Sequence, residues 1–326
     1  MFLKSLTTGK FRQYLLLGAI TLLIWGGIFV KIPEVSSFEG LYLQALIFSG
    51  LPAHSYLAIF GAFVLMAGQA LLLNQLLRMN RYTPYRSSLA AFLFIVLYSH
   101  STDILTLHPL SLPLLLLIVV FSIGLGISPN TNIYYRVFYA AFLIGISALI
   151  YPPAVLFILF LWIILIVNGY YRWREWVISL LGFLNPFFLI SGLMFYFDYP
   201  METFLNGTLS SLRLPEWPKI PGIVESFFIV SVSGFTIVAF LRVFKMRMGK
   251  PVSFRVQTVV IFWFLAVSLL SAVVSGSLLM YHLALVSVPV VAILSAYLSE
   301  STRTVQSEIL LIFILLLVLI QNYNIL

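Results

Sequence analysis

Apolar stretches separated by short polar breaks run along almost the whole chain, near 13–30, 55–77, 87–106, 109–127, 137–151, 153–169, 177–197, 224–241, 257–274, 280–298 and 308–324. A helix needs about 20 apolar residues to cross a hydrocarbon core of roughly 30 Å, and tilt or local thinning extends the range to about 17–25. The pattern therefore predicts an all-α fold, a polytopic transmembrane helical bundle of about eleven spans. It forms a single domain over 1–326, with longer outer loops near 31–54 and 198–223.

The basic residues orient this bundle. With the N-terminus inside and the C-terminus outside, the inner connections hold Lys4, Lys10, Arg12, Arg78, Arg81, Arg86, Arg136, Arg172, Arg174, Arg242, Lys245, Arg247, Lys250, Arg255 and Arg303. Only Lys31, Arg213 and Lys219 fall outside, which accounts for all 18 Lys and Arg and satisfies the positive-inside rule. Between Val137 and Asn168 the break is only Tyr151-Pro152-Pro153. Two short helices turning at the prolines keep Arg136 and Arg172 on one side, whereas one kinked helix would separate them, so two helices are expected. The basic start before Gln13 resembles a signal sequence, but Lys31-Ile32-Pro33-Glu34 offers no small-x-small cleavage site, and an uncleaved first span is expected.

Composition removes several classes of function. At 62% hydrophobic and 9% charged residues, with a mean hydropathy of +1.09, the chain lies outside the soluble range. The net charge of +8 follows from topology, and no basic run interleaved with exposed aromatics points to nucleic acid. Without cysteine there is no disulfide, thiolate metal site or thiol nucleophile. Four histidines are too few for a membrane di-iron centre, and His-Glu-x-x-His, a phosphate loop, a Rossmann glycine pattern and Gly-x-Ser-x-Gly are all absent. No internal repeat supports an inverted-repeat transporter.

The remaining polar chemistry gathers at the outward ends of the spans: His54, His100, His108 and His282, with Glu34, Glu39, Asp103 and Asp198. A shared outer cavity could bring several of these into an acid–base or divalent-cation site; equally, such residues cap helices and meet water at the interface. His100 and Asp103 are three apart and suit one helical face. Leu41 to Gly50 is apolar enough for a short interfacial helix. Pro200, Pro215, Pro218 and Pro221 stiffen the second outer loop. Asn185-Pro186 interrupts the seventh span, Ser268, Ser271 and Ser275 suit a close helix contact, and Arg242 to Arg255 could grip anionic headgroups.

Three segments, LLNQLLRMNRYTPYRSSLAAFLFIVLYS from Leu72, VFYAAFLIGISALIYPPAVLFILFLWIIL from Val137, and YRWREWVISLLGFLNPFFL from Tyr171, resemble a Bacteroidetes family of multi-spanning membrane proteins known only as a domain of unknown function. The resemblance covers Phe11 to Tyr199 and implies the cytoplasmic (inner) membrane of a diderm bacterium, with no catalytic assignment. In topology the chain is also similar to membrane glycosyltransferases that use polyprenyl-linked sugars, in which an acid of the first outer loop acts as base or metal ligand. That likeness makes Glu34, Glu39 and Asp103 the expected catalytic residues, and His54, His100, His108, Asp198 and His282 the substrate-binding ones. A divalent cation is the expected cofactor, and a polyprenyl-phosphate lipid or envelope proteins are the expected partners within the lipid bilayer. A non-catalytic subunit or scaffold of an envelope assembly, and a lipid or small-molecule transporter, are the alternatives.

Overall fold

The computed structural model describes residues 11–29, 56–84, 87–108, 110–127, 132–198, 222–275, 279–300 and 304–323. Among them are eleven α-helices: α1 (Phe11–Trp25), α2 (Tyr56–Met79), α3 (Leu89–Tyr98), α4 (Ser111–Gly126), α5 (Ile133–Ile150), α6 (Phe157–Val167), α7 (Trp173–Tyr196), α8 (Ile223–Met246), α9 (Val252–Ser275), α10 (Leu279–Glu300) and α11 (Thr304–Asn322). No strand occurs among the described residues. Six helices are long and apolar enough to cross a membrane. An all-α bundle of membrane-crossing helices is the outcome that the apolar pattern predicts, because in hydrocarbon each helix satisfies its own backbone.

Contacts between helix ends establish the alternation of direction. At one end Gln257 of α9 donates from Nε2 to the carbonyls of Asn80 (2.9 Å) and Leu125 (3.3 Å), just beyond α2 and near the end of α4. Arg136 of α5 donates to the Gly126 carbonyl at 2.6 Å, Tyr82 stacks on Phe254, and Lys250 pairs with Glu300 at the end of α10. Every Lys and Arg among the described residues lies at this basic end. At the far end Trp25, Ser99, Tyr151, His282 and Asn322 come from the opposite termini of their helices.

The Tyr151-Pro152-Pro153 break resolves as two helices. α5 ends at Ile150, Pro152–Leu156 forms a 3-10 turn, and α6 runs back. Glycine contacts prove the return: a Cβ on Gly182 would lie 2.6 Å from the Phe138 carbonyl oxygen, and one on Gly145 would lie 2.5 Å from that of Phe183. Later residues of α5 thus meet later residues of α7, so the two helices pack parallel, and α6 must cross back between them. Pro186 serves this contact, with its Cγ 3.0 Å from the Cβ position of Gly145, while α7 continues through it. Small residues that let backbones approach are the usual means of helix association in lipid.

The third span departs from expectation. Instead of a crossing over 87–106, α3 has ten residues, all buried, followed by a 3-10 turn at Thr102–Leu105. At about 1.5 Å per residue it covers roughly 15 Å, half a bilayer core. It can be short because it is surrounded by other helices and its unwound continuation is also enclosed: Ser99, His100, Thr106 and His108 are all buried. Apolarity alone does not distinguish a buried half-helix from a lipid-facing span.

The α5–α7 contact makes a direct prediction. Gly182→Leu should lower stability by about 1–3 kcal/mol through overpacking, seen as an earlier denaturation midpoint in SDS. Gly192→Leu, where an added Cβ meets nothing within 4 Å, should leave the midpoint unchanged; equal effects at both positions would contradict this packing.

Candidate functional site

The far end is built around the termination of α3. Its last carbonyls face protein rather than water, and side chains from three other helices reach them or the residues just beyond. His100 donates from Nδ1 to the Leu97 carbonyl at 3.1 Å. Asn322, at the end of α11, donates from Nδ2 to the Ser99 carbonyl at 3.1 Å and to the Ile24 carbonyl at 3.5 Å. Trp25 of α1 donates to the Ser99 hydroxyl at 3.3 Å. From α8, Phe228 stacks on the His100 ring, 5.5 Å between centroids and 9° between planes.

One turn nearer the helix start on the same side of α8 is Glu225. Its carboxylate accepts from the Gly222 backbone N–H at 3.1 Å, capping the start of α8, and from Gln321 Nε2 at 2.9 Å. Tyr323 donates to the Leu23 carbonyl at 2.9 Å. The end of α11 is thereby tied to α1, α3 and α8 together.

The described histidines each bond helix ends or turns. His108 shares a 3.1 Å hydrogen bond with the Tyr98 hydroxyl, and its backbone N–H donates to Ser111 Oγ at 3.1 Å. The Ser111 carbonyl accepts from Gln69 of α2 at 2.6 Å. His282 has both ring nitrogens engaged. Its Nε2 donates to the Ser268 carbonyl at 3.1 Å, which leaves Nδ1 to accept from the Tyr151 hydroxyl at 2.9 Å. Asp103 falls on the 3-10 turn after α3. Asp198 is exposed just beyond α7 in the left-handed region, φ 51°. Glu34, Glu39 and His54 lie outside the described residues, as do 31–54 and 199–221 of the long outer loops. The three described histidines are buried among helices rather than set at a wetted interface, because each pins a turn or helix end that lipid could not satisfy. Among the described residues no three His, Asp or Glu side chains converge as metal ligands.

Of the α9 serines, Ser271 makes the close contact through its hydroxyl, whereas the Ser268 hydroxyl turns to Leu265 of its own helix and only its backbone carbonyl reaches outward. Ser271 donates to the Pro153 carbonyl at 3.1 Å and Ser268 receives His282, so α9 is fastened to the Pro-Pro turn and to α10. Missed by the sequence reading are Glu225, Gln321, Asn322, Trp25 and Gln69. An amide pair closing an apolar run, Gln321-Asn322, was the available signal.

Beneath His100 lies a cavity of about 260 Å³ between α8, α9 and α10, roofed by Leu97 of α3. Phe228, Val232, Leu265 and Val290 form much of its wall. Of its three hydroxyls, Thr236 donates to the Val232 carbonyl and Ser287 to the Ala284 carbonyl, each within its own helix, while Ser233 is exposed, so most of the lining is apolar. Its rim includes Ile237 and Leu269, 61% and 49% exposed, and the cavity opens sideways on the hydrophobic flank of the bundle. Phe228 and Leu97, the two residues that hold His100, are also cavity walls.

The fold and this end of it define a polytopic helical membrane protein with an apolar side cavity below a polar cap. Its sequence matches the model of a family of unknown function, DUF6427, over residues 28–325, and the chain belongs to that family. No match occurs among curated proteins or among solved structures.

The His282 arrangement is testable. Tyr151→Phe removes the donor to a buried ring nitrogen and should cost about 1–3 kcal/mol, seen as a fall in thermal midpoint. Tyr196→Phe, 78% exposed in the parent, should leave the midpoint in place; a Tyr151→Phe protein as stable as the parent would contradict the assigned bond.

Proposed function

We propose that this protein is a lipid-handling protein of the cytoplasmic membrane that takes one hydrocarbon chain of an outer-leaflet lipid into the cavity between α8, α9 and α10 and holds the lipid's polar head against the cap above it. The observation that carries this reading is the stripe Glu225, Phe228, Val232, Thr236 on α8. Spaced by three or four residues, these share one helical face, polar at the top and bordering an apolar cavity below. An amphiphile has the same order of parts.

Cavity size favours a single chain. About 260 Å³ falls just below the roughly 300–1,000 Å³ usual for sites that enclose a drug-sized ligand, and two acyl chains with a headgroup would not fit within it. Polyprenyl-linked lipids and single-acyl lipids both present one chain, and the polyprenyl class is the one that a glycosyl-transfer activity at this face would use. The basic tally supports the outward placement, since the described Lys and Arg all lie at the other end and the positive-inside rule makes that end cytoplasmic. Lateral opening suits a ligand that arrives from the bilayer rather than from water.

The test is the lipid carried by the protein after extraction in polymer-bounded membrane discs. Native mass spectrometry should find a single-chain lipid retained after the bulk phospholipid is stripped. Val232→Trp, which fills the cavity from its wall, should lower that retention about tenfold or more at an unchanged thermal midpoint. Retained lipid matching the bulk membrane and unaffected by Val232→Trp would overturn the proposal.

A further inference from the structure

Among the described residues the polar cap leaves two amide oxygens unpaired, and these point to the head of the ligand. Two amides frame it, and their orientation is forced by their neighbours. Gln321 must turn its NH₂ to the Glu225 carboxylate (2.9 Å), and Asn322 must turn its NH₂ to the Ser99 and Ile24 carbonyls (3.1 and 3.5 Å), because each of those groups only accepts. Flipping either amide would set oxygen against oxygen. What remains over is therefore an acceptor in each case. Gln321 Oε1 and Asn322 Oδ1 are buried with no hydrogen-bond partner, and Asn322 as a whole is only 4% exposed.

An orphaned buried acceptor is costly, about 1–3 kcal/mol each. Two beside a carboxylate mark a place that something donates to. Neither residue lines the cavity, and each bonds a residue close in the chain to one that does. Gln321 bonds Glu225, three residues before the cavity wall Phe228 on α8; Asn322 bonds Ser99, two residues after the cavity roof Leu97 on α3. The Glu225 carboxylate beside them repels an anionic head and attracts one that donates.

We infer that the cap recognises a head bearing hydrogen-bond donors, a sugar hydroxyl or an ammonium, through Gln321 Oε1, Asn322 Oδ1 and the Glu225 carboxylate, and that it discriminates against a head that is phosphate alone. The inference rests on the single-chain reading of the cavity and adds the ligand's polar chemistry to it. A hydroxyl head takes its affinity chiefly from the two amide oxygens. An ammonium head draws in addition on the negative charge of Glu225, and so gains more as salt is lowered.

The experiment compares three amphiphiles of one chain length, an alkyl glucoside, an alkylammonium and an alkyl phosphate, titrated into the full chain in a polyoxyethylene detergent and read by native mass spectrometry. The glucoside or the ammonium should bind about tenfold more tightly than the phosphate, a difference of about 1.4 kcal/mol. Asn322→Leu and Gln321→Leu should remove that preference while the phosphate amphiphile binds as before. Glu225→Gln should weaken the ammonium arm far more than the glucoside arm, which separates the two sources of donors. Because Asn322 also bonds α3, Gln321→Leu serves as the variant that leaves that bond intact. Equal binding of all three heads, or tighter binding of the phosphate, would overturn this inference and leave the chain-binding cavity standing. Binding of none of the three, with Val232→Trp without effect, would instead remove the cavity reading on which it rests.

Discussion

A helix that stops among other helices leaves its last backbone carbonyls where no water can reach them, and α3 stops after ten buried residues. Much of the far half of the molecule answers that constraint. Its last turn and the residues after it are met by His100, by Trp25 from α1 and by Asn322 from α11. Phe228 of α8 closes over the His100 ring. Helices distant in sequence are thereby drawn to one point, and the end of α11, nearly the whole chain away from α1, becomes part of the same cap.

That convergence also produces the candidate site. Below the His100–Phe228 stack, α8, α9 and α10 leave a cavity that Leu97 of α3 closes from above and that opens on the apolar flank. Above the stack, Trp25, His100 and Asn322 donate to α3 and the residues after it, and the amide oxygens of Gln321 and Asn322 are left unpaired. An apolar chamber under a cap with unpaired acceptors gives the bundle a place for a ligand that is itself half apolar. Stability and ligand chemistry are therefore coupled at this end: Asn322 both anchors α11 and presents the orphaned oxygen.

Much of this architecture was legible from residue order. Apolar runs gave the helices, the basic residues gave the alternation of ends, and Tyr151-Pro152-Pro153 gave the turn that the parallel contact of Gly182 and Gly145 across α5 and α7 confirms. The length of α3 was not legible, since Leu89 to Tyr98 is as apolar as any lipid-facing span and only tertiary burial distinguishes it. The site was legible in part. Histidines were rightly noticed as unusual in so apolar a chain, but His100, His108 and His282 are drawn inward to bond Leu97, Tyr98, Tyr151 and Ser268. Glu225 was hidden as an ordinary acid at a helix start, and Gln321-Asn322 as the polar end of a final apolar run. Their meaning depends on contacts across 96 and 223 residues, which no local pattern encodes.

The most direct measurement is a cryo-electron microscopy map of the full chain in nanodiscs formed from its native membrane. An elongated density should enter between Ile237 and Leu269, run along Val232 and Phe228, and end in a head beside Glu225, Gln321 and Asn322. A cavity closed by its own side chains, or lipid density ordered only at the basic end around Arg136 and Lys250, would contradict the account.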